Sequence, residues 1–533
     1  MNAGNTMDFQ ITSHGPSQAD LDNHRERILT HPVVQDYLNG ARHRLLAFAL
    51  INDGAKAEEP PLLPNRYQAT IFDYSHNRTV TAEGALDRSD DIQVSEYGTQ
   101  PLPDTAEFAA ALSVVKADPE FGSALGDGRL RAYRPMPPLL EPDPGHDVES
   151  ERTLIVGLAP SPASGLSHEI VGVNMVSQRV VRFDSGAPAR SAATATTCGP
   201  PDAGQPTVLR GTAGQYLVTV TQGGVELWRF LAIRPAASSG TNGSGIELRG
   251  VTYRGTKVLD RAHVPILNVR YDNSPCGPYR DWQWEESRIQ ITSTDVAPGF
   301  RRSATPVQTI LESGQDAGNF LGVALYAEGQ ETVLVSEMEA GWYRYISEWR
   351  LHNDGTIRPR FGFSAVRNSC VCDVHHHHAY WRFDFDIRTA NNNRVREFNH
   401  PPVSGTEDWQ TLRFETRRLR DSSHQRKWLV ENVNTGEGYT LTPGPDDGVA
   451  DSFGVGDLWA MQYRNTEVDD GQGFTTDPAR AVAHLDQFIN NGTSIENNDV
   501  VLWYAAHFTH DVTGSPPGDF GHRVGPDLRP VNW

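Results

Sequence analysis

The sequence predicts an α+β chain that is mainly β, with a large C-terminal antiparallel β-sandwich preceded by two small α+β domains. Three observations lead there. From Gly245 to the C-terminus, short runs of alternating apolar and polar residues follow one another between Gly, Pro, Asn and Asp turns, with almost no convincing helix. No unit of about 20–50 residues repeats, which disfavours a propeller or solenoid. Ahead of residue 245, strand-like runs and an amphipathic helix alternate with stretches at 185–205 and 236–244 whose Gly, Pro, Ala, Thr and Ser content marks linkers.

Taken in order, residues 1–64 are expected to form a helical lead-in. Ile28, Leu29, Val33, Val34, Tyr37, Leu38, Leu45, Leu46 and Phe48 recur at helical spacing, broken at Pro32. Residues 65–145 make the first α+β domain: strands at 67–74 and 78–82, an amphipathic helix at 105–116 and a Pro-rich exit near 135–145. Residues 146–236 make the second, opening on a strand at 152 and including a hairpin within 169–183. The sandwich occupies 245–533.

With 533 residues, 38% hydrophobic and 21% charged, the chain is long enough for a large core. A net charge of −20 argues against nucleic acid or an anionic membrane surface as partner, because both require a basic patch. No run approaches the ~20 apolar residues of a membrane span. The start Met1-Asn-Ala-Gly-Asn-Thr-Met-Asp8 lacks a basic region followed by an apolar core, and four cysteines (198, 276, 370, 372) are too few for a disulfide framework. A cytoplasmic protein is the expectation.

The most chemically loaded stretch is 368–387, where His375, His376, His377 and His378 run into Tyr380-Trp-Arg-Phe-Asp-Phe-Asp-Ile387. In an extended chain, i and i+2 share a face, so the tract offers two alternative pairs, His375/His377 and His376/His378. Two neutral imidazoles on one strand suit copper or zinc, with a third ligand supplied from elsewhere. A solvated polar loop is the competing reading of the tract alone.

Several segments together resemble the copper amine oxidases: 247–259, Val269-Arg-Tyr271-Asp272, Gly341-Trp-Tyr-Arg-Tyr-Ile-Ser-Glu-Trp349, 353–357, His375-His-His377 with Arg382-Phe-Asp-Phe-Asp-Ile387, Leu458-Trp-Ala-Met-Gln-Tyr-Arg464, and 498–510. Their order and spacing are similar to that family's catalytic domain over about 245–512, and the two preceding units resemble its small N-terminal domains. The resemblance selects His375 and His377 as copper ligands and adds His510. It places at Tyr343 the tyrosine that copper and dioxygen oxidise to topaquinone, although Trp342 and Arg344 stand where the family carries asparagine and an acid. It makes Tyr271 the partner of the quinone and Asp281 the catalytic base, while matching Trp282-Gln283 to the family's own Trp-Gln would move the base to Glu285, Glu286 or Ser287. It further implies a peripheral calcium held by Asp384, the Phe385 carbonyl, Asp386, Asp499 and the Val500 carbonyl, and a homodimer. Cys370 and Cys372 have no family counterpart; disulfide formation with Cys276, copper binding and plain packing are all open, with packing expected.

The function implied is oxidation of a small primary amine by dioxygen to an aldehyde, with release of ammonia and hydrogen peroxide. The competing reading is a copper-binding homologue without a quinone, either a binding protein or an enzyme with another reaction. If active, Arg344 or Arg280 near the site is expected to favour an amine that carries a carboxylate, since guanidinium holds carboxylate by a two-pronged hydrogen bond.

Overall fold

A computed structural model describes residues 7–51, 56, 63–88, 91–97, 100–136, 151–161, 164–166, 168–182, 198–204, 208–272, 276–471, 485–490, 492–512 and 521–533. The expected Pro-rich exit at 135–145 and the stretch at 185–205 fall largely outside these residues.

The predicted fold class holds: the chain is mainly β, and two large sheets face each other. Among the described residues, the first sheet runs Met7–Ser13, Gln215–Gln222, Val225–Ile233, Glu247–Tyr253, Thr256–Tyr271, His375–Phe385, Val500–His510, Leu458–Gln462, Thr416–Arg418, with Tyr279–Arg280 on one side of Thr256–Tyr271. The second contains Glu331–Ala340, Tyr343–His352 and Ile357–Ala365 as consecutive antiparallel neighbours. One continuous apolar core draws on both sheets, with Leu248, Leu267, Trp381, Phe383 and Leu502 from the first and Val335, Tyr345, Trp349, Phe361 and Phe363 from the second. Both faces of the central strands are covered, and in Val500–His510 most of the strand reads as a continuous apolar run instead of alternating.

The lead-in is only partly helical. Gln18–Thr30 is a helix with a capping box, in which Ser17 accepts from the Asp20 amide and Asp20 from the Ser17 amide. Pro32 opens a second helix, Pro32–Leu38, as its break predicted, and Asn39 and Gly40 close that one at positive φ. Leu45, Leu46 and Phe48 then lie on a strand, His43–Ile51, and Met7–Ser13 is an edge strand of the sandwich. Helical spacing misled here because the run RLLAFALI is apolar on both faces, and pairing with Arg66–Asp73 along its whole length decides the conformation.

Strands 67–74 and 78–82 and the hairpin at 169–181 are where they were expected. They build two separate four-stranded sheets, one spanning His43–Tyr97 and one Leu130–Val181. The helix Thr105–Ala117 packs on the second of these, through Ala111 and Val115 against Leu154, Val156 and Val171. Glu107 on that helix ties the two units together: Tyr74 donates to it at 2.6 Å, and Arg152 donates to it at 3.1 and 2.6 Å. Gln215–Gln222 and Val225–Ile233 leave the second unit for the sandwich. The 236–244 stretch is no loose linker. Ser238, Asn242 and Ser244 are buried, and its backbone is bonded to residue 283.

The cysteines correct the sequence reading most sharply. All four are paired, Cys198 with Cys372 and Cys276 with Cys370, closing separations of 174 and 94 residues. The second bridge joins the chain just after Tyr271 to the chain just before His375. A non-reducing peptide map should recover these two cross-links and no Cys370–Cys372 bridge. Replacing Cys276 and Cys370 by serine should lower stability by about 2–4 kcal/mol in denaturant unfolding.

Candidate active site

The site is organised by the strand His375–Phe385, which pairs on one edge with Thr256–Tyr271 and on the other with Val500–His510. In that register His375 lies opposite both Tyr271 and His510, and His377 opposite Val269 and Phe508. The period of two sends His375 and His377 to the inner face and His376 and His378 to the outer one. His376 reaches Asp272 at 2.9 Å near the surface, and His378 is buried against His507, with 2.7 Å between their Nδ1 atoms.

Inside, His375, His377 and His510 are fully buried. Their ring centroids are 5.0 Å apart for His375 and His377 and 4.8 Å for His375 and His510, with Phe363 of the facing sheet 4.2 Å from His377 and 5.0 Å from His510. His375 Nδ1 lies 2.7 Å from the carbonyl of Asp373. A carbonyl only accepts, so that nitrogen carries the proton and Nε2 keeps a bare lone pair. The Nε2 atoms of His375 and His377 are buried with no hydrogen-bond partner. Burial, followed by the neighbouring histidines, depresses both pKa values well below the usual imidazole value, so both rings are neutral.

From the facing sheet, the strand Tyr343–His352 presents Tyr343 and Tyr345 to these rings. Tyr343 is fully buried, 5.4 Å from the His375 ring and 5.0 Å from His377. Its hydroxyl is hydrogen-bonded to that of Tyr271, and the Trp342 indole N–H donates to Tyr271 at 3.3 Å. Tyr345 donates to Asp281 Oδ2 and lies 3.5 Å from His377 Nδ1. Asp281 is fully buried, and its Oδ1 has no hydrogen-bond partner. Burial pushes its pKa well above the ordinary carboxylate range, against the pull of the Tyr345 hydrogen bond.

The alternative bases are engaged elsewhere. Glu285 pairs with Arg134 at 2.9 Å, Glu286 with Arg234 at 2.7 Å, and Ser287 donates to Glu337 at 2.6 Å. The arginines expected to hold a substrate carboxylate are also consumed. Arg344 points away from Tyr343 into a two-pronged pair with Asp316 at 2.9 and 3.1 Å, and Arg280 is bonded to Asp470 and, at 2.9 Å, to Asn268.

Residues 326–533 match the family model described as copper amine oxidase, enzyme domain. This segment is similar to that family's enzyme domain. It carries Tyr343, His375, His377 and His510, whereas Tyr271 and Asp281 lie before it. No curated protein matches the chain in sequence. Among solved structures, a copper-containing benzylamine oxidase from Hansenula polymorpha is similar at TM-score 0.57 and 12% identity, over 100% of this chain and 94% of its own. The Aspergillus nidulans amine oxidase gives 0.54 and 12% over 100% and 89%, and the Pichia pastoris lysyl oxidase 0.55 and 12% over 95% and 89%. At such identities the likeness concerns the fold.

The copper expected of this family fits the residues present, since neutral buried imidazoles with unshared Nε2 lone pairs are its donor set. The trio is wider than a finished coordination sphere. Among the described residues, only Asp384, Asp386 and Asp499 bring one ligand atom each within 4.8 Å of one another, so the imidazoles must turn inward on binding a metal. The expected calcium fits less well. Phe385 and Val500 are paired across the sheet and the three aspartates do converge, but the ammonium of Lys56 stands among them.

Sequence reasoning missed Tyr345, Phe363, Phe508 and the donor role of Trp342. Tyr345 and Phe508 were within reach, as each sits two residues from a named site residue and therefore on the same strand face. Phe363, on a neighbouring strand, had no such signal.

Copper content should separate the two faces of the central strand. His375→Ala, His377→Ala and His510→Ala should each lose bound copper after dialysis, while His376→Ala retains one equivalent. His378→Ala should keep copper but melt lower, because it leaves His507 buried without its partner. Copper loss on His376→Ala with retention on His377→Ala would put the strand out of register by one residue.

Proposed function

We propose that the chain oxidises a primary amine with dioxygen and water to an aldehyde, ammonia and hydrogen peroxide, using copper held by His375, His377 and His510 and a quinone made from Tyr343. The observation that carries this reading is the placement of Tyr343, buried between the Tyr271 hydroxyl and the His375 and His377 rings with Asp281 alongside. Copper would supply the redox chemistry that converts the ring, and the quinone the carbonyl that captures the amine.

The remaining work falls to side chains. Tyr271 holds the Tyr343 oxygen through its hydroxyl and is itself held by the Trp342 N–H. Trp342 thereby offers a donor where the family carries asparagine. Asp281 takes the substrate α-proton on Oδ1, with Oδ2 pinned by Tyr345 so that the free oxygen keeps its aim. Its raised pKa suits a base that must hold a proton in a buried site. Trp342 and Tyr279, whose centroids are 6.1 Å apart, wall this region with aromatic surface, and Tyr133 lies 6.5 Å beyond Trp342. With Arg344 and Arg280 satisfied by acids, an apolar monoamine is favoured over an amino acid. A homodimer belongs to the same proposal. The two disulfides favour an oxidising compartment over the cytoplasm.

Copper-loaded protein should react with phenylhydrazine to give a visible chromophore, and Tyr343→Phe should not. Copper binding without that reaction would leave the quinone-free homologue standing. Peroxide release should rank an aromatic monoamine above putrescine and above an amino acid; an amino acid in first place would contradict the consumed arginines.

Asp281→Asn should cut kcat by about 10²–10⁴-fold. Because the folded pKa of Asp281 is raised, its ionisation opposes folding above the unfolded value near 4. The variant should therefore melt no lower than the parent at pH 8, with any advantage vanishing toward about pH 4. A variant with full turnover would remove Asp281 as the base.

A further inference from the structure

The acidic cluster at the far end of the central strand already holds a cation of the chain's own. Lys56, between the strands His43–Ile51 and Arg66–Asp73, places Nζ 2.7 Å from Asp384 Oδ1 and 2.6 Å from Asp386 Oδ1, and also donates to Asp499 Oδ1. An ammonium has three N–H bonds, and here each finds a different carboxylate. Its stem is largely buried, and Nζ lies 4.6 Å from the centre of the Tyr463 ring, which favours a cation on its face. Two further cations reach the same acids from behind: Lys257 meets Asp386 Oδ2 at 3.0 Å, and Arg382 meets Asp384 Oδ2 at 3.3 Å. Of the four lysines in the chain, two are therefore spent here. An open cavity of about 430 Å³, lined by Lys56, Lys257, Asp386 and Arg388, leads to the cluster, so ions can reach it from solvent.

We propose that Lys56 takes the place of the peripheral calcium, so that the chain closes this acidic cluster with a tethered ammonium and binds no calcium there. Calcium requires 6–8 oxygens at 2.3–2.6 Å around one point, and that point is occupied by Nζ. A divalent ion could enter only by expelling Lys56 into solvent. This clip ties Lys56 to the sandwich, and it stands or falls independently of the amine chemistry.

The test uses copper-loaded full-length protein dialysed against about 1 mM calcium, a level that fills even weak protein sites. The parent should retain no stoichiometric calcium, and its melting temperature should not move. Lys56→Ala should retain one calcium per chain and melt higher as calcium is raised. Amine-reactive labelling supplies a readout that needs no variant: Lys56 should be protected relative to the exposed Lys116, with or without calcium. One calcium bound to the parent, or calcium-dependent exposure of Lys56 to the label, would overturn the proposal. So would a folded Lys56→Ala that takes up no calcium.

Discussion

Pairing along both edges of His375–Phe385 decides which of four consecutive histidines face the interior, and the chemistry of the site follows from that register. Tyr271 and His510 are brought level with His375 by backbone hydrogen bonding, from segments more than a hundred residues away on either side in sequence. A one-residue slip would turn His376 and His378 inward and set the aromatic belt of Tyr343, Tyr345 and Phe363 against the wrong side chains. The flanking ladders and the Cys276–Cys370 bridge make such a slip costly, since the bridge joins the two strands close to the Tyr271–His375 pair.

The core that surrounds this register contains several buried arginine–carboxylate pairs. Arg344 with Asp316, Arg280 with Asp470, Arg234 with Glu286 and Arg382 with Glu467 are all buried. Such pairs add little net stability, because desolvation offsets attraction, but removing one partner typically costs about 3–5 kcal/mol. Their effect here is to fix orientation. Arg344 anchored on Asp316 holds the strand so that Tyr343 and Tyr345, its neighbours on either side, face the histidines. Asp281 contrasts with these groups: it is buried as deeply, with only a tyrosine hydroxyl on one oxygen. Glu337 is also buried without a salt bridge among the described residues, but both of its oxygens accept hydrogen bonds, from Ser287 and the Ile310 amide, whereas Asp281 keeps Oδ1 unbonded, which is the pattern of a reacting group more than a structural one.

The parts of the site that obey a local rule were legible in the sequence. Alternation along one strand put His375 with His377 on one face and His376 with His378 on the other; the resemblance to the copper amine oxidases then chose the first pair and added His510 and Tyr343. The parts that depend on long-range pairing were not. Lys56 meets its acids across more than three hundred residues, and no pattern near it signals that role. Cys370 and Cys372 have no family counterpart and were expected to pack; the disulfide with Cys276 that was left open is formed by Cys370, while the pairing of Cys372 with Cys198 had no local signal. Arg344 was expected to meet substrate because it neighbours Tyr343, yet adjacent residues on a strand point to opposite faces. The strand His43–Ile51 was read as helix because an apolar run half-buried on both faces carries no clear period.

The central claim is that Tyr343, placed by this register beside the imidazoles, becomes the redox cofactor. Its most direct test is peptide mass spectrometry of the protein before and after aerobic loading with copper. The expected result is that the peptide containing Tyr343 gains two oxygens and loses two hydrogens, while Tyr271 and Tyr345 keep the mass of tyrosine. An unmodified Tyr343 in protein that holds one copper per chain, or the same gain at Tyr345 instead, would contradict it.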